Sequence, residues 1–282
     1  MILEKLQLKV VKQLDNAVFE VHNNEGMVFY WVDHPAAKAL IAQQGAHLVS
    51  YRPNPGDEKL WLSDDSLFTK GAAIRGGIPI CWPNFGNLGN ENNTKHGYAR
   101  TSLWTLDTIT TSQEHCYLSF SLPSSSNSGV ALSCSFTLGS EARIELVTTN
   151  HSEKSFKYTG ALHSYFITDV KKLHIGSLGD QYIDSVSSTK VDNVASFTLS
   201  DETDRIYLQP QSVSQLVFGA SKTTIEHRGH DSVVVWNPGD KLANKMPDVS
   251  SADNFICVET AITQQPQAVK PQQSHKLVQI IR

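Results

Sequence analysis

The chain has 282 residues, 40% of them hydrophobic and 18% charged, enough for a sizeable core and too apolar for a disordered polymer. Its formal net charge is −4 (24 Lys and Arg against 28 Asp and Glu), with no basic tract, so neither nucleic acid nor an anionic membrane is the expected partner. Cys81, Cys116, Cys134 and Cys257 form no C-x-x-C pair, which argues against a zinc cluster and a disulfide framework; no metal and no other cofactor is expected.

In chain order, residues 1–16 carry Glu4, Lys5 and Lys9 and lack the apolar run of a secretory signal. No segment reaches the length of a membrane span. The expected compartment is a reducing cytoplasm, where the N-x-S/T matches at Asn92 and Asn150 carry no glycan. HPAAKALIAQQG, from His34, fits either a short helix or a loop running into a strand. AIRGGIPICWPNFGN sets Arg75 beside two glycines and lacks the spacing of any common phosphate loop. Read alone, it is a turn-rich loop with a charged tip. TKHGYARTSLW groups Lys95, His96 and Arg100 around Gly97, which alone fits an ordinary loop.

Period two then dominates. YLSFSL sets Leu118, Phe120 and Leu122 against serines, ALSCSFTL does the same with Leu132, Cys134, Phe136 and Leu138, and ARIELVT continues it through Ile144 and Leu146. Strict alternation predicts antiparallel sheet with one buried face. LPSSSNSG reads as a hairpin loop. Further strands are expected at LHIGSL, RIYLQ, QLVFG, SVVVW, FICVE and KLVQII. The reading is one all-β domain over residues 1–282, built as a large antiparallel β-sandwich of two stacked sheets rather than a small barrel.

Two groups suit acid–base work. His163, in ALHSYFITD, lies in a strand-like run beside Tyr165 and Phe166; an ordinary hydrogen-bonded core histidine is the bland alternative. Glu259 follows the apolar run Phe255–Val258 and reads as closing a buried strand. A carboxylate there is exposed at the strand end, paired, or functional, because an unpaired buried charge is costly. DETDRIYLQ places Asp201, Glu202 and Asp204 before a strand, and VVVWNPGDK ends a strand in a turn with Trp236 at its rim, either a plain turn or a sugar-stacking platform. No nucleophile elbow, Walker loop or dinucleotide fingerprint competes with these.

Taken together, GAHLVSYRP, LWLSDDSLF, AIRGGIPICWPNFG, HGYAR, LHSYF, ETDRIY, VVVWNP and CVET stand in the order found in the hexose-6-phosphate mutarotases. The chain resembles that family, the glucose-6-phosphate 1-epimerases of the aldose 1-epimerase superfamily, from about residue 40 to residue 260. The resemblance implies a galactose mutarotase-like β-sandwich with a sugar cleft on one face. It implies His163 as general acid, Glu259 as general base, Arg75 and Arg100 on a C6 phosphate, Asp204 on sugar hydroxyls and His96 as a positioning group. The glycines after Arg75 then read as letting the backbone approach the phosphate. Lys95 departs from the glutamine many relatives carry there, adding charge near the phosphate or facing solvent, and Thr260–Ala261 departs from a Pro-Gly continuation. The implied partner is a small hexose 6-phosphate bound by a monomer, with His163 protonated at rest by help from a nearby carboxylate or tyrosine hydroxyl. Two rivals remain: a mutarotase for unphosphorylated aldoses and a non-catalytic sugar-phosphate binder.

Overall fold

Alternation along the chain becomes antiparallel pairing, and the described residues form three sheets. The computed structural model describes residues 2–87, 94–123, 129–192, 197, 199 and 201–282; Asn92 and residues 124–128 of the SSSNSG stretch lie outside them. The strands flanking that stretch, Cys116–Leu122 and Val130–Leu138, do pair antiparallel as a hairpin requires.

The first sheet has five strands in chain order, from Lys9–Asp15 to His47–Pro53. It corrects the expectation of two sheets, and it settles HPAAKALIAQQG, whose Ala37–Ala42 is its fourth strand. The back sheet has eight strands, with Ser274–Ile281 and Ala142–Asn150 at its centre. The cleft sheet also has eight; its middle is Thr203–Leu208, Ser232–Asn237, Phe255–Val269 and Phe156–Leu162, and Tyr165–Ile167 pairs alongside Phe255–Val269. Among the described residues, helix is confined to Ile2–Lys5, Gly239–Ala243 and one short 3-10 turn at Ala99–Thr101.

The two large sheets bury their alternating apolar residues against each other. Leu118, Phe120, Phe136, Ile144 and Leu146 of the back sheet share one cluster with Val233, Val235, Ile256, Val258 and Ile262 of the cleft sheet. Each such side chain contributes about 1.5–3 kcal/mol when fully buried, which makes this interface the main stabilising element. The five-stranded sheet joins it through Tyr30, whose ring lies 5.5 Å from that of Phe120, and through Tyr51, whose hydroxyl donates to the Gly139 carbonyl at 2.8 Å.

The period of two then decides what the other face of the cleft sheet carries. With Ile256, Val258 and Ile262 inward, Cys257, Glu259 and Ala261 point outward. Cross-strand register sets Val234 opposite Glu259, and Trp236 opposite both Cys257 and Asp204. The outer face is thus a patch of small and apolar residues with two carboxylates set into it.

Candidate active site

Glu259 does not close its strand. It is the fifth residue of the fifteen-residue strand Phe255–Val269 and is 1% exposed. His163 reaches it from a break in the neighbouring chain. Leu162 pairs with Thr260 and Tyr165 with Cys257, but the two residues between them leave the sheet ladder. The His163 amide donates to the Pro79 carbonyl instead, and that of Ser164 turns back to the Leu162 carbonyl. This pucker delivers the imidazole to the cleft face, with Nε2 3.4 Å from Oε1 of Glu259.

Aromatic rings fix the imidazole's orientation. Tyr165 stacks on it at 4.9 Å and 11°, and His96 and Trp236 meet it edge-on at 5.6 Å and 6.1 Å. Nδ1 of His163 and Oε2 of Glu259 are buried without a hydrogen-bond partner. Orphaned buried polar atoms carry a desolvation cost, and a ligand's hydroxyls would relieve it. The pair lies on a cavity of about 380 Å³, walled by Phe85, Val234, Trp236 and Met246 and charged by Arg75, Lys95 and Asp204. Hollows of 460 Å³ beside His174 and 490 Å³ beside Glu58 place no buried carboxylate next to a histidine.

The electrostatics overturn the expectation of a resting imidazolium. Burial first, then the fields of His96, Arg75 and Arg100, push the His163 pKa well down. Burial first, then the charge of Asp204, pushes that of Glu259 well up, against a smaller opposing effect of Lys95. Both shifts favour a neutral pair in the unliganded protein, with its transferable proton on the carboxyl group. Tyr165 lends its hydroxyl not to His163 but to Arg75, whose Nη1 donates to it at 3.0 Å.

Arg75 lines the cavity, but its guanidinium is already engaged: Nε donates to Oδ2 of Asp248 at 2.9 Å. Asp248, in the loop after Gly239–Ala243, carried no signal in the sequence. Tyr165 carried one, since it lies two residues from His163 and so shares its face. The glycines after Arg75 serve packing rather than ligand approach. Gly76 has φ +112° and a Cβ there would lie 2.5 Å from the Trp61 carbonyl; Gly77 has φ +61° and its Cβ would strike the Leu48 carbonyl. Both carry a conformation and a closeness that side chains resist.

His96 lines the cavity, with Nδ1 accepting from the Gly86 amide at 3.3 Å, which places its proton on Nε2. Burial, with Arg100, Lys95 and Arg75 nearby, lowers its pKa to about 3, so it stays neutral. Lys95 lines the cavity as well. Arg100 does not line it; its Nη2 donates to the Lys95 carbonyl at 2.9 Å and its Nε is buried without a hydrogen-bond partner. Asp204 lines the cavity, its pKa raised by burial against the hydrogen bond from Ser185. Glu202 lines it too, which its place in an acidic turn did not foretell. Of the WNP turn, Trp236 forms the wall while Asn237 ties the turn down through Nδ2 to the Ala252 and Phe255 carbonyls. Trp82 is a core residue, donating to Oγ1 of Thr148 at 3.1 Å.

Donor atoms of His163, Cys257 and Glu259 lie within 4.8 Å of one another, a set a soft divalent cation could use. Burial and Glu259 hold the Cys257 thiol pKa well up, so a cation would have to displace its proton.

The aldose 1-epimerase family model matches residues 16–282. The chain belongs to the aldose 1-epimerase family. An Escherichia coli (strain K12) protein described as "Putative glucose-6-phosphate 1-epimerase" is 39% identical over 263 residues, covering 89% of this chain and 88% of that one. The crystal structure of "a putative mutarotase (YeaD)" from Salmonella typhimurium superimposes with a TM-score of 0.91 at 34% identity, covering 100% of this chain and 98% of that one. A galactose mutarotase-like protein from Clostridium acetobutylicum, 13% identical with a TM-score of 0.73 over 95% of this chain and 99% of that one, shares the fold. This aldose 1-epimerase family member is accordingly an isomerase of the epimerase type with an all-β, galactose mutarotase-like sandwich.

Proposed function

We propose that the protein interconverts the α and β anomers of hexose 6-phosphates. A base removes the C1 hydroxyl proton, an acid protonates the ring oxygen O5, and the C1–O5 bond opens to the aldehyde. Rotation about C1–C2 presents the other carbonyl face, and the steps reverse. The observation that carries this reading is the His163–Glu259 pair, 3.4 Å apart on the cavity surface. One member accepts a proton while the other donates one, each contributing about 10²–10⁴-fold.

The pair holds one transferable proton in either arrangement. With the sugar bound, the phosphate dianion near Arg75 and Lys95 offsets the cations that depress His163. The proton then moves to the imidazole, leaving Glu259 as base and His163 as acid. Arg75 and Lys95 anchor the phosphate, Arg100 supports the loop carrying Lys95, and Asp204 accepts from sugar hydroxyls while His96 walls the ring. The phosphate lies far from C1, so its contacts orient the reacting atoms rather than stabilise them.

A second reading, action on unphosphorylated aldoses, draws support from Asp248, which already neutralises Arg75. Anomer-exchange NMR on glucose and glucose 6-phosphate separates the two. Higher kcat/KM for the phosphate supports the first reading, equal values support the second, and binding without exchange makes the chain a sugar-phosphate binder.

No helix among the described residues is long and apolar enough to cross a membrane. We place the chain in the cytoplasm as one mutarotase-like unit over residues 1–282, acting as a monomer. Four buried free cysteines support the reducing compartment.

A further inference from the structure

Directly behind the acid–base pair, the apolar interface between the two large sheets is interrupted by polar side chains. Alternation along Ser274–Ile281 places Leu277 and Ile281 in the core, and Gln279 stands between them in phase. In the same way His227 follows Ile225, Ser214 precedes Leu216, and Thr260 sits between Val258 and Ile262. Ser164, Ser214, Thr260 and Gln279 are 0% exposed and His227 is 1% exposed.

These five residues satisfy one another in a single chain. Ser164 Oγ donates to Oε1 of Gln279 at 2.5 Å. Nε2 of Gln279 donates to Oγ1 of Thr260 at 2.9 Å and reaches the Val258 carbonyl at 3.4 Å. The Thr260 hydroxyl donates to Nδ1 of His227 at 2.7 Å, and His227 Nε2 donates to Ser214 Oγ at 3.1 Å. The Thr260 hydroxyl, which already accepts from Gln279, finds an acceptor in Nδ1 only if His227 is neutral, and burial, which lowers its pKa to about 3, agrees.

The chain's two ends on the cleft sheet are not arbitrary. Ser164 follows His163 within the pucker that leaves the ladder, and Thr260 follows Glu259 on the central strand. One buried amide therefore grips the residue after the histidine and the residue after the glutamate, while His227, beside Gln279 in the back sheet, grips the second from its other side. Apolar replacements of buried polar groups are often neutral or stabilising, so stability alone gives weak reason for five polar residues here. Catalysis gives a stronger one, because small displacements of a reacting group cost rate steeply.

We propose that Gln279 and Thr260 are positioning residues for anomer exchange: an amide–hydroxyl strut across the sandwich that fixes the separation of His163 and Glu259. The proposal rests on the acid–base reading of that pair, not on the phosphate. Neither residue touches the substrate, so removing the strut lowers kcat and leaves KM nearly unchanged.

The test uses Thr260→Val, which keeps shape and loses the hydroxyl, Thr260→Ser, which keeps the hydroxyl, Gln279→Leu, and Leu118→Val as a core control remote from the network. Each is measured by exchange NMR on glucose 6-phosphate well below its melting temperature. Thr260→Val and Gln279→Leu are expected to lose about tenfold to a hundredfold in kcat with KM within about twofold. Thr260→Ser should recover activity to within about twofold of the native chain, and Leu118→Val should stay there. An active native protein whose Thr260→Val variant matches it, or a Leu118→Val loss as large as that of Thr260→Val, overturns the strut. A native protein that does not exchange anomers overturns the acid–base reading itself, and the strut with it.

Discussion

Nε2 of His163 lies 3.4 Å from Oε1 of Glu259, and the two come from separate stretches of chain held in one register by the pairs Leu162–Thr260 and Tyr165–Cys257. The pair sits in an apolar setting that raises the carboxyl pKa and lowers that of the imidazole. A buried pair with a single proton between them is at once an acid and a base, as ring opening requires.

That proton count sets the pH dependence. The one-proton state is lost to a second proton only as pH falls through the depressed pKa of His163, and to deprotonation only as pH rises through the elevated pKa of Glu259. Exchange of free glucose should therefore lose kcat on the acid side only below the ordinary imidazole value of 6.5, and on the alkaline side only above the ordinary carboxyl value of 4.5. For glucose 6-phosphate, KM should rise below about pH 6, where the phosphate dianion takes up a proton and loses about half its pull on Arg75 and Lys95. Measuring kcat and KM separately against pH for both sugars checks this.

Stability should carry the mark of Glu259 as well. Its folded pKa is raised above 4.5, so between 4.5 and the folded value the unfolded chain is ionised while the folded chain keeps its proton. Stability then falls as pH rises through that window. Glu259→Gln removes the effect. The melting temperature of the variant should gain on the native chain with rising pH, as scanning calorimetry at several pH values would show.

Arg75→Ala should raise KM about tenfold or more for glucose 6-phosphate and much less for glucose, since a charge-assisted hydrogen bond contributes about 1.5–3 kcal/mol. Removing this cation also lifts one cause of the depressed His163 pKa, so the acid limb of the kcat profile should move to higher pH. Equal KM changes for both sugars would remove Arg75 from the phosphate site.

Gly76→Ala should destabilise the fold by at least about 2 kcal/mol, through a residue forced to positive φ and a Cβ pressed on the Trp61 carbonyl. Urea denaturation measures the loss. An unchanged midpoint would return these glycines to a ligand-binding role.

Much of this was legible in the sequence because period two is a local property. The hairpin of Cys116–Leu122 with Val130–Leu138 follows from it. The same rule misled at FICVE. A strand buried on both faces shows no alternation, so Glu259 looked like its end when it stands inside a longer strand. His163, Glu259, Arg75, Lys95, His96 and Asp204, which the family motifs single out, line one cavity in the fold, and Arg100 is not part of its lining. Asp248 and Gln279 were invisible, because their partners lie 173 and 115 residues away and nothing local announces such contacts. The proton placement was misjudged for the same reason: it depends on burial and on the fields of His96, Arg75, Arg100, Asp204 and Lys95, which only the assembled fold supplies.

His163 and Glu259 together, in this proposal, exchange the anomers of a hexose 6-phosphate. Magnetisation-exchange NMR of equilibrated glucose 6-phosphate, with the native chain and with Glu259→Gln at equal concentration, tests it most directly. Rapid α–β exchange is expected with the native chain, and a loss of about 10²–10⁴-fold with the variant, its thermal unfolding still cooperative. A Glu259→Gln variant that exchanges the anomers as fast as the native chain would contradict the proposal.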